Sequence, residues 1–208
     1  MTRRTCAAVT VAILAAGSWS CRRGENGERG GEAETRLVEA TVAADPAKVQ
    51  QLLAAGANPN KMAPYQGHDQ SAWTLALHQA RPNRPDTIAI VRAMLKAGAR
   101  PDIAWGEAPS RMGGYSVQSV APIGEALTNS NPEVARALMQ AGLDPRDAAL
   151  TLELAVENGE TEIVHALVEA GVDVNSQATA ITPLVAAIER RDVALMTYLE
   201  DHGAREKP

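Results

Sequence analysis

The chain has 208 residues, of which 45% are hydrophobic, only 3% aromatic and none Phe, and it carries a formal net charge of −5. That length suits one domain or two small ones, and aliphatic side chains must supply nearly all of the core, which argues against an aromatic-rich β-sandwich. Neither cysteine, Cys6 or Cys21, lies in the body of the chain, so a disulfide framework, a Cys-based zinc site and a thiol enzyme are excluded there, and no basic surplus points to nucleic acid or anionic lipid.

The chain opens with Arg3 and Arg4, then an apolar run from Cys6 to Ala16 broken only by Thr10, then the small residues Gly17, Ser18 and Ser20. This is the layout of a secretory signal peptide. The uncharged stretch from Thr5 to Cys21 falls just short of the roughly 18 residues that suggest a spanning helix, and retention as a membrane anchor is the lesser alternative. Ser18-Trp19-Ser20-Cys21 resembles a bacterial lipobox, with Ser18 where Leu is usual and a bulky Trp19, while Ser20 and Cys21 fit. The resemblance implies lipidation at Cys21, against ordinary cleavage after Gly17 or Ser20. Several acyl chains together make a stable anchor, and Arg22 rather than Asp after the cysteine implies the outer membrane, with the protein facing the periplasm. Residues 22–34, RRGENGERGGEAE, contain no large apolar side chain and are expected to form a disordered tether. Loss of Arg3 and Arg4 with the signal segment makes the remainder two charges more acidic than the whole chain.

From Leu37 onward one phrase recurs: Leu52-Leu53-Ala54-Ala55-Gly56-Ala57-Asn58-Pro59, Met94 to Pro101, Leu138 to Pro145, Leu167 to Val174 and, more weakly, Leu199 to Ala204. Upstream of each lies a second phrase ending in a small residue, at Thr35–Ala40, Ser71–Ala76, Ala121–Ala126, Leu150–Ala155 and Thr182–Ala187. Thr182-Pro183, Asp45-Pro46 and Asn131-Pro132 are helix-start signals, a capping side chain followed by a proline tolerated in the first turn. Val49, Leu52 and Leu53, and Ile163, Val164, Leu167 and Val168, make one apolar stripe each. Gly56, Gly98, Gly142, Gly171 and Gly203 are expected to end the second helices in the left-handed conformation. Helix pairs apolar on both sides are satisfied only by stacking.

These paired phrases resemble the ankyrin repeat, a unit of about 33 residues with a T-P-L-H-x-A start. The resemblance runs from about Thr35 to Ala204. It implies an all-α fold: an ankyrin-repeat solenoid of about five helix-turn-helix units with two extended finger loops. The domain spans 35–205, with units near 35–60, 71–102, 121–146, 150–175 and 182–205, behind a signal peptide at 1–20 and a tether at 21–34. None of the units keeps the family His, whose place is taken by Val38, Thr74, Gly124, Glu153 and Val185, which implies loosened buried hydrogen bonding within the stack. A tetratricopeptide array is the rival, without the repeated Ala-Gly punctuation.

Of the glycine-to-glycine intervals, only Gly171 to Gly203 is close to the family period. The loop before the third unit is about a dozen residues longer than its counterpart before the fifth, another extension runs through Arg81-Pro82-Asn83-Arg84-Pro85, and the finger between Gly142 and Leu150 is pruned. Insertions in repeat arrays map to surface loops and often to the binding face. Tyr65 and His68 lie in the finger before unit two, and Trp105, Arg111, Met112 and Tyr115 in the long finger before unit three. Trp, Tyr and Arg are the usual interface anchors, which makes these six the candidate protein-binding set. The alternative is that they fold back to cover the flank of the stack. Trp73 takes the place of a buried Leu, and Tyr198 lies on the last second helix.

None of His68, His78, His165 and His202 has a metal-ligand or triad partner at a telling spacing, and the acids from Glu157 to Glu162 read as solvated. No metal, cofactor, nucleic acid or small-molecule substrate is indicated. The expected function is therefore a noncatalytic protein-binding module exported to the bacterial cell envelope. A periplasmic immunity or inhibitor protein for a toxic enzyme is the alternative, and a hydrolase or metal-dependent enzyme built on the inserted loops the outside one.

Overall fold

The computed structural model describes residues 30–109, 115–178 and 181–205. The expected signal peptide, Cys21, Arg111 and Met112 lie outside them. In chain order the elements are α1 (Glu32–Val42), α2 (Pro46–Ala54), β1 (Met62–Tyr65), β2 (His68–Ser71), α3 (Ala72–Gln79), α4 (Pro85–Lys96), β3 (Ala104–Pro109) and β4 (Tyr115–Val120). They continue with α5 (Pro122–Thr128), α6 (Pro132–Gln140), α7 (Ala149–Asn158), α8 (Thr161–Glu169), α9 (Pro183–Arg190) and α10 (Val193–Asp201). Among the described residues no helix is long and apolar enough to cross a membrane.

The ten helices form five consecutive pairs. Each first helix packs on its own second helix, α1 touches α3, α3 touches α5, α5 touches α7 and α7 touches α9, while α2, α4, α6 and α8 pack in a parallel row. One apolar core runs through the whole stack, from Leu37 and Trp73 through Ile90, Leu138, Leu152 and Leu167 to Leu184 and Leu199. Such side chains bury entirely because each helix has a neighbour on two sides, and removing a large one costs about 3–5 kcal/mol. Trp73 is fully buried and still satisfies its ring N–H, which donates to the Arg100 carbonyl at 2.8 Å.

The start and stop signals act as their chemistry demands. The side chains of Asp45, Asn131, Thr182 and Asp192 accept from the backbone N–H three residues on, at 2.9, 3.2, 3.3 and 3.1 Å, each meeting an amide that the first helical turn leaves unpaired. All five helix-ending glycines have φ between 89° and 94°, where an L side chain is penalised.

The expectation of an all-α chain is corrected by a four-stranded antiparallel sheet in the order β1-β2-β3-β4. The finger before unit two and the long finger before unit three are both β-hairpins, whereas the extension through Arg81 to Arg84 is a turn between α3 and α4. The first turns through Gln66 and Gly67, φ 49° and 85°, and positive φ at both positions matches the right-handed twist of the flanking strands. The second pairs along its full length, from Ala104↔Val120 to Pro109↔Tyr115. The two hairpins join at Gln70↔Gly106, so the two fingers make one continuous sheet beside α1 and α3. The stretch from Gly142 to Ala148 forms turns only.

The first helix begins at Glu32, inside the segment expected to be tether. Glu34 explains why: its carboxylate accepts from the Gly31 N–H at 2.7 Å and the Asn58 N–H at 3.2 Å, tying the start of α1 to the turn after α2. Burial raises the Glu34 carboxyl, but the Asn58 and Gly31 amides and the nearby Lys61 outweigh it and hold the group below the ordinary glutamate value.

Candidate functional site

The sheet gathers most of the expected contact residues. Because opposite residues in an antiparallel pair share a face and neighbours along a strand alternate, the registers sort them. Tyr65↔His68, Ala63↔Gln70 and Gln70↔Gly106 place Tyr65 and His68 on one face. Their rings meet edge to face with centroids 5.9 Å apart. Trp105 pairs with Ser119 and Glu107 with Val117, so Trp105, Val117 and Ser119 share the other face. The six residues therefore do not make one patch. Tyr115 is placed opposite Pro109 at the far end of the second hairpin, and Arg111 and Met112 fall between the strands, outside the described residues.

On the Trp105 face, Trp105 is half-buried, its ring nitrogen is enclosed, and among the described residues that nitrogen has no acceptor. Val117 is 47% exposed, one of four exposed large hydrophobics among the described residues, and Ser119 is exposed beside it. Tyr65, by contrast, packs against the core of the stack, which fits the covering role more than the binding one.

The seam between the hairpins is held by side chains as much as by the ladder. Glu107 accepts from the Asp69 N–H at 2.8 Å through its carboxylate, and its carbonyl accepts from the Gln70 side-chain amide at 2.7 Å. Gly106 leaves room for the buried Gln70 amide, which a Cβ at that position would displace. Thr74 fixes the sheet to α3: its hydroxyl donates to the Trp105 carbonyl at 2.8 Å. Glu153, fully buried on α7, likewise accepts from the Ala178 N–H at 2.6 Å in the segment leading to α9. Two of the five positions that lack the family His thus do bond into the following unit. The expected loosening does not extend to them.

Three relationships escaped the sequence reading. Asn60 and Asn175 stand at the same offset after a helix-ending glycine, and each clamps the next unit: Asn60 to Gly98 and Arg100, Asn175 to Gly203 and Arg205. At the far end of the stack, Tyr198 lies between His165 and His202, with ring centroids 4.1 and 4.2 Å away. Burial, then the charge of Glu169, pushes the Tyr198 hydroxyl above the ordinary tyrosine value. The four-residue spacing of Tyr198 and His202 was the available signal. Finally, α2, α4 and α6 leave an open groove of about 1230 Å³ on the row of second helices, lined by small side chains such as Ala54, Ala89, Ala93 and Ala137. An Arg92–Glu133 ion pair joins two of its walls.

Among the described residues no group of three or more His, Cys, Asp or Glu could hold a metal ion. His78 approaches Glu125 at 3.7 Å, a surface pair with neither a nucleophile nor an oxyanion-binding arrangement described beside it. The arrangement offers a four-stranded sheet with a half-buried indole, an exposed valine and hydrogen-bonding groups. Compared with known proteins, the chain matches no family model and no curated protein.

Proposed function

We propose that this chain is a noncatalytic binding module of the ankyrin-repeat type, exported to the bacterial envelope, lipid-anchored through Cys21, and engaging a protein partner through the Trp105 face of its finger sheet. The observation that carries the reading is Trp105 itself: an aromatic side chain on an inserted hairpin, braced through its carbonyl by Thr74, with an enclosed ring N–H that lacks an acceptor among the described residues. Aromatic anchors of this kind supply much of the energy of protein interfaces. The five stacked helix pairs support the repeat reading, since each pair buries its apolar faces only against its neighbours. Half-buried Trp105 beside exposed Val117 favours partner contact over simple flank covering.

Affinity purification from the native envelope tests this. The wild type captures a protein that the Trp105→Ala, Tyr115→Ala double variant does not, at unchanged helix content by circular dichroism. Equal capture by both, with both folded, removes the finger sheet from the interface.

A further inference from the structure

We propose that the groove on the row of second helices receives α10 of a second copy of this chain, pairing two copies face to face with their rows reversed. The row carries its charge unevenly. Its first three helices hold Lys48 on α2, Arg92 and Lys96 on α4 and Arg136 on α6 against Asp86 and Glu133, whereas α8 and α10 hold Glu162, Glu169, Glu200 and Asp201 with no Lys or Arg. The basic end has the hollow, the groove of about 1230 Å³ between α2, α4 and α6, lined in part by half-buried Leu53, Ile88 and Leu95 and by Arg92 and Lys96. The acidic end has the protrusion. Val193, at the start of α10, is 70% exposed, the most exposed large hydrophobic among the described residues, and Ala194, Thr197, Glu200 and Asp201 after it are exposed as well.

These α10 residues stand at the positions that line the groove on α4. Relative to the helix-ending glycine, Val193 is to Gly203 as Ile88 is to Gly98, and Ala194 matches Ala89, Thr197 matches Arg92 and Asp201 matches Lys96. The two helices therefore present the same face to the same side of the stack. A two-fold axis lying in the interface, parallel to the second helices and midway between α6 and α8, reverses the row and keeps matching positions level. It sets α10 of one copy on α4 of the other, and α8 on α6. Val193 comes level with Ile88 beside Ala89, Asp201 with Lys96, and Glu200 falls within a helical turn of both Arg92 and Lys96. Glu162 comes level with Glu133, which Arg92 and Arg136 both hold, so the cluster it meets keeps one positive charge over.

The occupant is a second copy because one chain supplies both complementary surfaces at the spacing this axis demands. Each contact is then made twice, and the assembly closes at two copies. The other face-to-face two-fold, along the row, sets α4 on α4 and α10 on α10, like charge on like, which opposes association. Seating Val193 in the groove takes apolar surface of both copies out of water. The contact uses the second helices, leaves the finger sheet beside the first helices open, and stands independently of partner capture there.

Sedimentation equilibrium of the purified full-length protein is the test. The wild type shows a concentration-dependent monomer–dimer equilibrium. R92E/K96E and E200K/D201K each set like charges across both contacts and raise the dimer dissociation constant by at least about tenfold. An equimolar mixture of the two, in which every groove again meets an α10 of opposite charge, restores the dimer. Circular dichroism checks their folding, and V193E, a single change at an exposed position, weakens the dimer in the same way and serves if a double variant unfolds. A wild type that stays monomeric at all concentrations overturns the proposal, as does a dimer that these variants leave unchanged or a mixture that stays monomeric. Binding of a different protein in the groove of a monomeric wild type overturns it too.

Discussion

Asn60 holds the turn that follows Gly98: its Nδ2 donates to the Gly98 carbonyl at 2.8 Å, and its Oδ1 accepts from the Arg100 N–H at 3.0 Å. Asn175 repeats the clamp on Gly203 and Arg205 at 3.0 and 2.9 Å. The same offset holds Asp102 after Gly98 and Arg146 after Gly142. Those two turn inward instead, Asp102 pairing with Arg100 at 2.6 Å and Arg146 with Asp144 at 3.1 Å. Clamps therefore join units one to two and four to five. Asn60→Ala and Asn175→Ala should each lower the free energy of unfolding by about 1–2 kcal/mol, because two backbone groups lose one partner. Denaturant midpoints read the effect, and Asn58→Ala, whose side chain accepts from the nearby Asn60 N–H two residues on, should cost less.

Among the described residues, four non-glycine residues sit in the left-handed region: Ala44, Gln66, Ser130 and Arg191, with φ of 52°, 49°, 48° and 57°. Three of them turn the chain between the two helices of a unit, where Gly159 stands in unit four with φ 75°. An L side chain there costs roughly 1–2 kcal/mol. Glycine gives part of that back as unfolded-chain entropy, so Ala44→Gly should stabilise by about 0.5 kcal/mol in urea unfolding. The opposite change, Gly171→Ala at φ 91°, should destabilise by about 1 kcal/mol.

Glu153 is a buried acceptor whose loss strands a backbone donor. Glu153→Ala removes the partner of the Ala178 N–H and should cost about 1–3 kcal/mol. Glu153→Gln keeps an acceptor and should recover part of it. Hydrogen exchange at the Ala178 amide locates the effect, fast in the alanine variant and slower in the glutamine one.

Acid should loosen the start of α1. Glu34 has a folded value below its ordinary 4.5, so its contribution is fully present above that pH and is lost as pH falls through the lower folded value. Asp102, held down first by its hydrogen bond from Arg100, adds a loss that begins lower, below its ordinary 3.8. Glu34→Gln should flatten the decline of melting temperature below pH 4.5 and leave stability near neutrality lower than the wild type.

The helix pairs were legible because their signals are local: a capping Asp, Asn or Thr, a proline in the first turn, a glycine after the second helix. Each acts within a few residues, so no distant contact is needed to read it. The sheet was not legible for the converse reason. Its β3 strand, Ala104-Trp-Gly-Glu-Ala-Pro109, carries a glycine and a proline that argue against a strand. The Gln70 amide lies in the space beside Gly106, an approach of residues far apart in the chain. The candidate set was legible as residue types on insertions, whereas its division between two faces depends on the Gln70↔Gly106 register.

Photo-cross-linking in the native envelope tests the central claim most directly, with the photoreactive residue placed at Val117 on the Trp105 face or at Ala89 in the groove of the second helices. A partner adduct heavier than two copies of this chain, formed from position 117 and lost with Trp105→Ala, is the predicted result. An adduct formed from position 89 alone contradicts it.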